Sequence, residues 1–154
     1  MINMRSPLIT LFLLLSGIVP TLLAQPDPDS VSFFVEALRR AAPDTGRAND
    51  GLYSEWQVKP RNIRSWSERC TGVAMSVEEF EADPREARFV LECKLGEVLA
   101  DQYEVSQNEI TAVRRAASWW VSGDPDRYTT SSGVRSFVNR VEKNYQEVAT
   151  RWNR

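Results

Sequence analysis

The amino-acid sequence predicts an all-α domain, because apolar residues recur at helical spacing and capping signals precede several of these segments. The clearest case is a C-terminal segment, SGVRSFVNRVEKNYQEVATRW. Its apolar residues fall on one helical stripe, formed by Val134, Phe137, Val138, Val141, Tyr145, Val148 and Trp152. No repeat and no low-complexity tract interrupts the pattern. The chain of 154 residues therefore predicts one mostly helical domain behind a leader.

The leader has the composition of a secretory signal peptide. A basic start at Arg5 precedes an apolar run, residues 8–19, that is too short to span a bilayer, and Ala24 stands before the polar QPD. We therefore expect a signal peptide over residues 1–24 and an exported protein, periplasmic or extracellular, with no membrane attachment after cleavage. A retained membrane anchor is the alternative, which the short run and Pro20 disfavour. Residues 25–30 are then a linker and residues 31–154 the helical domain.

Charge and composition exclude several classes of function. Without the leader's single charge, Arg5, the 19 basic residues become 18 against 21 acidic ones, a net charge of −3. A general nucleic-acid binder needs a basic surplus, so we expect no nucleic-acid partner. The chain contains no histidine, which excludes Ser-His-Asp and Cys-His catalysis and nearly all zinc sites. We expect no metal and no cofactor, and any hydrolytic or lyase reaction would depend on carboxylates.

The first helix is predicted over VSFFVEALRRAA, residues 31–42, with Asp29 or Ser30 as its cap. The proline and glycine of APDTG end it. The following residues 47–75 show no helical period and are predicted as a loop with at most a short turn of strand or helix. The predicted helix has one apolar face, made of Val31, Phe34, Val35 and Leu38.

Three capping signals follow. Ser76 and Glu79 form a capping box for a brief helix, and the run Asp83-Pro84-Arg85-Glu86 begins a longer one. In that longer helix we expect an apolar side with Phe89, Cys93 and Leu99. Ser106 with Glu109 is predicted to cap the next helix, which ends at Gly123-Asp124-Pro125. That helix carries Ile110, Val113, Ala117 and either Trp120 or Val121 on its inner side.

The two cysteines, Cys70 and Cys93, are expected to form a disulfide, because the chain is predicted to be exported. A redox pair is the alternative, although the Cys-x-x-Cys spacing is absent. The bond would tie the aromatic segment that precedes Cys70 to the helix that carries Cys93.

The segment GLYSEWQVKP, residues 51–60, resembles the Gly-x-x-Gly-x-x-Gln-x-x-Pro loop of lysozyme-like lytic transglycosylases. Gly51, Gln57, Val58 and Pro60 match, whereas Ser54 stands where a second glycine is usual. The segments that follow come in the family's order: NIRSWS, the capped helix pair, AASWWVSGDP with Trp120 at a usual tyrosine, and GVRSFVNRVEKNY with Phe137 at another. The stretches WQVKP and RRAASWW are also similar to a group of small secreted cyanobacterial proteins.

The resemblance, over residues 31–148, implies a lysozyme-like fold in which this loop lines a sugar-binding cleft. Peptidoglycan or a related glycan is then the expected partner, and the expected substrate-binding residues are Tyr53, Trp56, Gln57 and Trp120. The aromatic rings among these residues, together with those of Trp66 and Trp119, suit the C–H faces of sugars. The alternative is that most of these rings pack in the core around the disulfide. Because neighbours on a helix point about 100° apart, we expect one of Trp119 and Trp120 in the core and the other near the surface.

The family's reaction uses one carboxylic acid after the first helix, usually in a Glu-Ser pair, to protonate the glycosidic oxygen. Ala42-Pro43 stand at that place here, so Glu36 and Glu55 are the candidate catalytic acids. The alternative, which the sequence favours for each, is an ordinary exposed carboxylate. Three hypotheses remain: an exported glycan-binding lysozyme-like protein with degenerate catalysis, an active lytic transglycosylase or muramidase, and a secreted helical structural protein without a glycan role.

Overall fold

Six α-helices make up most of residues 28–43 and 50–152, the part of the chain described by the computed structural model of the protein. The helices are α1 (Pro28–Ala41), α2 (Pro60–Thr71), α3 (Val77–Ala82), α4 (Pro84–Ser106), α5 (Glu109–Ser122) and α6 (Ser132–Trp152), with a 3-10 turn at Arg127–Thr129. No β-strand occurs in these residues, so the all-α prediction is confirmed. The predicted signal peptide and Gly46 lie outside the described residues.

Four helices form a closed ring, in which α1 packs on α4 and α6 while α5 packs on the same two helices. The smaller α2 and α3 pack on α4 from outside this ring. Burial of large apolar side chains is the main stabilising term, at about 1.5–3 kcal/mol for each. The largest of these fully buried apolar side chains include Phe34, Leu38, Phe80, Leu91, Leu95, Leu99 and Tyr145. None of the helices within the described ranges combines the length and the apolar composition that crossing a bilayer requires.

Helix α1 begins three residues before its predicted start. It starts at Pro28, whose fixed φ suits the first helical turn, so Asp29 and Ser30 lie inside the helix and do not precede it as caps. The predicted apolar face is confirmed, since Phe34, Val35 and Leu38 are buried. The helix ends at Ala41, two residues before Pro43.

Helix α2 contradicts the predicted loop over residues 47–75. Pro60 stands in its first turn and Gly72, at φ 80°, ends it, which are both ordinary helix signals. Its inner face consists of Ile63, Ser67 and the half-buried Trp66 and Cys70, so it has almost no aliphatic period to detect. The Ser67 hydroxyl is accommodated in the core because it donates to the Ile63 carbonyl at 2.7 Å and accepts from the Met75 N–H at 2.8 Å.

The caps of α3 and α4 are confirmed. Ser76 Oγ accepts the Glu79 N–H and the Glu79 carboxylate accepts the Ser76 N–H, while the Asp83 carboxylate accepts two backbone N–H groups of α4. The predicted apolar side of α4 is wrong at Phe89, which is exposed, and Cys93 is only half-buried. Because α4 contacts four other helices, its buried residues spread around the helix as Ala87, Val90, Leu91, Leu95, Val98 and Leu99.

The start of α5 and the burial of the last residue of α6 also differ from the prediction. Ser106 is the last residue of α4, and the cap of α5 is Asn108, whose Oδ1 accepts the Thr111 N–H at 2.9 Å. Gly123 ends α5 as predicted, with φ 80°. In α6 the predicted stripe is buried at Phe137, Val138, Val141 and Tyr145, but Trp152 in the last turn is 68% exposed.

The disulfide between Cys70 and Cys93 is confirmed, with an S–S distance of 2.06 Å. It joins the last turn of α2 to the middle of α4. Apart from this bond, α2 contributes only Ile63 and Ser67 to the fully buried interior. The covalent link therefore fixes a helix that has little apolar surface of its own to bury.

Candidate functional site

One groove, with a cavity volume of about 340 Å³, collects aromatic and basic side chains from three segments of the chain. It lies between the loop 57–59, the N-terminal half of α2 and the C-terminal end of α5. We call it the tryptophan groove. It is lined by Gln57, Val58, Lys59, Arg61, Asn62, Trp66, Trp119, Trp120, Val121, Ser122 and Gly123.

Three indole rings form one wall. The ring centroid of Trp66 lies 6.4 Å from that of Trp119 and 5.9 Å from that of Trp120, with the planes inclined at 30° and 39°. All three side chains are half-buried, so the expectation of one core and one surface tryptophan on α5 is wrong. Because Trp66 projects from α2 toward the end of α5, it contacts both neighbours although they point in different directions.

The ring of Trp119 is already partnered, because the Lys94 ammonium lies 5.8 Å from its centroid, in cation–π range. The structure shows no such cation at Trp66 or Trp120 within the described ranges. These two rings therefore offer the aromatic surface on which a flat apolar face of a ligand can stack.

A tight turn presents Gln57 to the groove. Tyr53 and Val58 exchange two backbone hydrogen bonds of 2.9 and 2.8 Å, and this pairing closes the turn between them. Within the turn Ser54 and Gln57 both adopt left-handed backbone conformations, with φ 64° and 58°. The reversal places Val58 in the core and leaves Gln57 beside the start of α2.

The side-chain amide of Gln57 is only partly satisfied. Its Nε2 donates to the Ser54 carbonyl at 3.3 Å, while its Oε1 is buried and has no hydrogen-bond donor among the described residues. An acceptor left unpaired in this way costs about 1–3 kcal/mol.

The other two predicted binding residues lie elsewhere. Trp56 is buried in the core, where its indole N–H donates to the Val35 carbonyl of α1 at 2.8 Å. It is therefore a core residue that does not line the tryptophan groove, although it borders a separate cavity of about 190 Å³ with Glu55 and Glu81. Tyr53 is half-buried against the core and does not line the tryptophan groove. Of the four predicted residues, the structure brings together only Gln57 and Trp120.

The sequence reasoning did not assign Lys59, Arg61 and Asn62 to the site. Lys59 and Pro60 mark the start of α2, and Arg61, Asn62 and Trp66 follow within its first two turns. Recognising Pro60 and Gly72 as the two ends of a helix would have placed these side chains on one element and Trp66 on its inner side.

The carboxylate of Glu36 is the centre of an ion-pair cluster. It accepts hydrogen bonds from Arg39 at 2.8 and 2.9 Å and from Arg40 at 2.8 Å, and Arg88 Nη1 lies 3.7 Å away. The two hydrogen bonds from Arg39, and then the one from Arg40, lower the pKa of Glu36 to about 2 against the opposite effect of burial. Glu36 is thus ionised at neutral pH and holds no proton to donate to a glycosidic oxygen.

Glu55 belongs to the edge of the same cluster. Its carboxylate lies 3.2 Å from Arg39 Nη1, and its side chain is 57% exposed. Neither Glu36 nor Glu55 lines the tryptophan groove, and no Asp or Glu is among the described residues that do. Nor does the described part of the chain contain a group of three His, Cys, Asp or Glu side chains placed to hold a metal ion.

The Glu36 cluster predicts a specific pH dependence. Because the pKa of Glu36 is lowered from 4.5 to about 2 by folding, its contribution to stability is complete above about pH 5 and is lost as the pH falls toward 2. We expect Glu36→Gln to lower the free energy of unfolding by about 2 kcal/mol at pH 7, after allowance for the partly exposed arginines. Urea titrations should show the difference from wild type shrinking between pH 5 and pH 2.

The control is Glu55→Gln, at the exposed carboxylate that pairs with Arg39. We expect this substitution to change the free energy of unfolding by less than about 1 kcal/mol. A deficit of Glu36→Gln that stays constant from pH 7 to pH 2 would contradict the assignment of the ionised carboxylate as the stabilising group.

The chain matches no protein-family model, and no significant match to a curated protein or to a solved structure was found. The function is therefore inferred from the groove and its chemistry.

Proposed function

We propose that this protein is an exported, lysozyme-like glycan-binding protein that holds peptidoglycan or a related glycan in the tryptophan groove and has no catalytic acid there. The observation that carries the proposal is the wall formed by Trp66, Trp119 and Trp120 beside the polar side chains of Gln57 and Asn62. Sugar rings present apolar C–H faces that stack on aromatic rings, and hydroxyl groups that can form hydrogen bonds with polar side chains. The cavity of about 340 Å³ also falls in the usual range of small-molecule sites.

The relation to lysozyme-like proteins is supported by where the resembling residues lie. Gln57 and Trp120, far apart in the chain, are two of the four residues that the resemblance assigns to the sugar cleft, and both line this one groove, whereas Tyr53 and Trp56 do not. Ser54, at the place of the usual second glycine, has a φ of 64°, which glycine adopts with the least strain. A glycine at this position, as in the resembling loop, would adopt this conformation with less strain than serine does.

Export is supported by the composition of residues 1–24 and by the disulfide between Cys70 and Cys93. Disulfides persist in oxidising compartments and are rare in the cytosol. The same compartment contains the glycans of cell envelopes, which agrees with the proposed ligand.

Binding without catalysis is favoured over an active lytic transglycosylase because no protonated carboxylic acid is available among the described residues of the groove. A glycosidic oxygen must be protonated by a carboxylic acid within hydrogen-bond reach. The described residues lining the groove include no carboxylate, and Glu36 is held ionised by Arg39 and Arg40 in a different part of the surface.

The test incubates the mature chain, residues 25–154, with purified peptidoglycan sacculi. We expect the protein to sediment with the sacculi, and we expect no anhydro-muropeptides above the buffer control in the supernatant. If the wild type releases anhydro-muropeptides and Glu55→Gln or Glu36→Gln does not, the protein is an active transglycosylase and this proposal is wrong. The same sedimentation assay is repeated with chitin. If the protein sediments with neither sacculi nor chitin, the remaining hypothesis is a helical structural protein without a glycan role.

A further inference from the structure

The tryptophan groove carries positive charge that has no counterpart in the surrounding residues. Lys59 and Arg61 line it and are exposed, and neither forms an ion pair within the described part of the chain. By contrast, Arg39, Arg114 and Arg115 are all paired with carboxylates. This excess of positive charge is local to the groove, since the whole chain has a net charge of −2. A concave site lined by one sign of charge attracts ligands of the other sign.

The start of α2 adds to this positive potential. The helix begins at Pro60 beside the groove, and its cap residue, Lys59, makes no side-chain capping hydrogen bond. The first N–H groups of a helix carry a partial positive charge, which favours an anion nearby. Lys59 and Arg61 line the groove at this helix end, so the two side chains and the helix end contribute positive potential together.

The remaining lining residues require more than an anion. Trp66 and Trp120 provide an aromatic surface beside the two cations, Lys59 and Arg61. A single molecule that suits both features has an apolar ring face and a negative group. Phosphate or sulfate alone provides no ring face.

We propose that the ligand of the tryptophan groove is an acidic saccharide, whose carboxylate is bound by Lys59 and Arg61 while its ring stacks on Trp66 and Trp120. The inference rests on the proposed function and narrows its ligand class. Arginine binds carboxylates through paired N–H groups and lysine through a mobile point charge, so the two side chains can hold one carboxylate between them. Such a carboxylate occurs in uronic acids and in the lactyl ether of peptide-free muramic acid.

The experiment compares each acidic glycan with its own neutral form by isothermal titration calorimetry on the mature chain. The first pair is tetragalacturonate and its carboxyl-reduced product. The second is peptide-free glycan strands from sacculi and their carboxyl-reduced product. At low salt we expect at least one acidic form to bind about 10-fold more tightly than its neutral partner, and we expect the difference to shrink in 0.5 M NaCl because salt screens exposed charges. The pair with the larger difference identifies the source of the carboxylate.

A double variant tests the two cations. Lys59→Gln with Arg61→Gln should weaken binding of the acidic form about 10-fold more than binding of the neutral form. Arg64→Gln is the matched control, because Arg64 is exposed on the same helix and does not line the groove. We expect this control to change neither affinity. Circular dichroism of all variants confirms that the helices are intact.

Equal affinities for acidic and neutral forms, unaffected by the double variant, would overturn the acidic-saccharide inference and leave glycan binding standing. No binding of any of the four glycans would overturn both proposals. Tighter binding of a single-stranded oligonucleotide than of any glycan would also contradict the inference, because it would assign the rings and cations to nucleic-acid stacking.

Discussion

We expect removal of the disulfide between Cys70 and Cys93 to lower the thermal midpoint of this protein by roughly 10 °C. The two cysteines are separated by 23 positions in the chain, and closing a loop of that length stabilises the folded state by about 3 kcal/mol in the chain-entropy account. For a domain of this size, 1 kcal/mol corresponds to about 3–5 °C. We expect the loss of stability to arise mainly from α2, because this helix contributes only Ile63 and Ser67 to the fully buried interior.

Differential scanning calorimetry of Cys70→Ala with Cys93→Ala, beside the oxidised wild type, measures this effect. The wild type in excess reductant provides an independent check, and we expect its midpoint to fall by a similar amount. A midpoint unchanged in both preparations would show that helix packing alone holds α2 against α4.

The second large effect concerns binding. We expect Trp120→Ala to weaken binding of peptide-free glycan strands about 30-fold, because truncating a tryptophan at the centre of an interface commonly costs about 2 kcal/mol or more. Trp66→Ala should weaken binding to a similar degree. It should also lower the thermal midpoint, because the Trp66 ring packs against both Trp119 and Trp120.

The matched control is Trp152→Ala, which removes an indole that is 68% exposed at the end of α6 and does not line the groove. We expect it to change the affinity less than 2-fold, as a peripheral residue would. Calorimetric titration of all three variants decides the question. A loss for Trp152→Ala as large as that for Trp120→Ala would mean that the glycan does not bind in the tryptophan groove.

Local sequence signals were sufficient to predict several helix ends. The capping box at Ser76 and the Asp83 cap are satisfied within four residues of chain, so their geometry does not depend on the rest of the molecule. The end of α5 at Gly123 is equally local. Helix α2 was missed because the hydroxyl of Ser67 and the disulfide replace the aliphatic side chains that normally reveal a helical period.

The candidate site could be predicted only in part. Whether a tryptophan faces the core or the surface depends on remote partners: Trp56 turns inward because Val35 of α1 offers a carbonyl to its N–H. The pairing of Glu36 with Arg39 and Arg40 follows from helical spacing, but Arg88 approaches it from a different helix. The groove itself forms where α2 comes near the end of α5, which no local pattern indicates.

The most direct test of the account follows the five tryptophan indole N–H signals in a ¹⁵N-labelled sample while peptide-free glycan strands are added. We predict that the signals of Trp66 and Trp120 shift in a saturable manner, with a smaller change for Trp119, while those of Trp56 and Trp152 stay in place. Saturable shifts confined to Trp152, or no shift in any indole signal at glycan concentrations that saturate sedimentation, would contradict the claim that this groove binds the glycan.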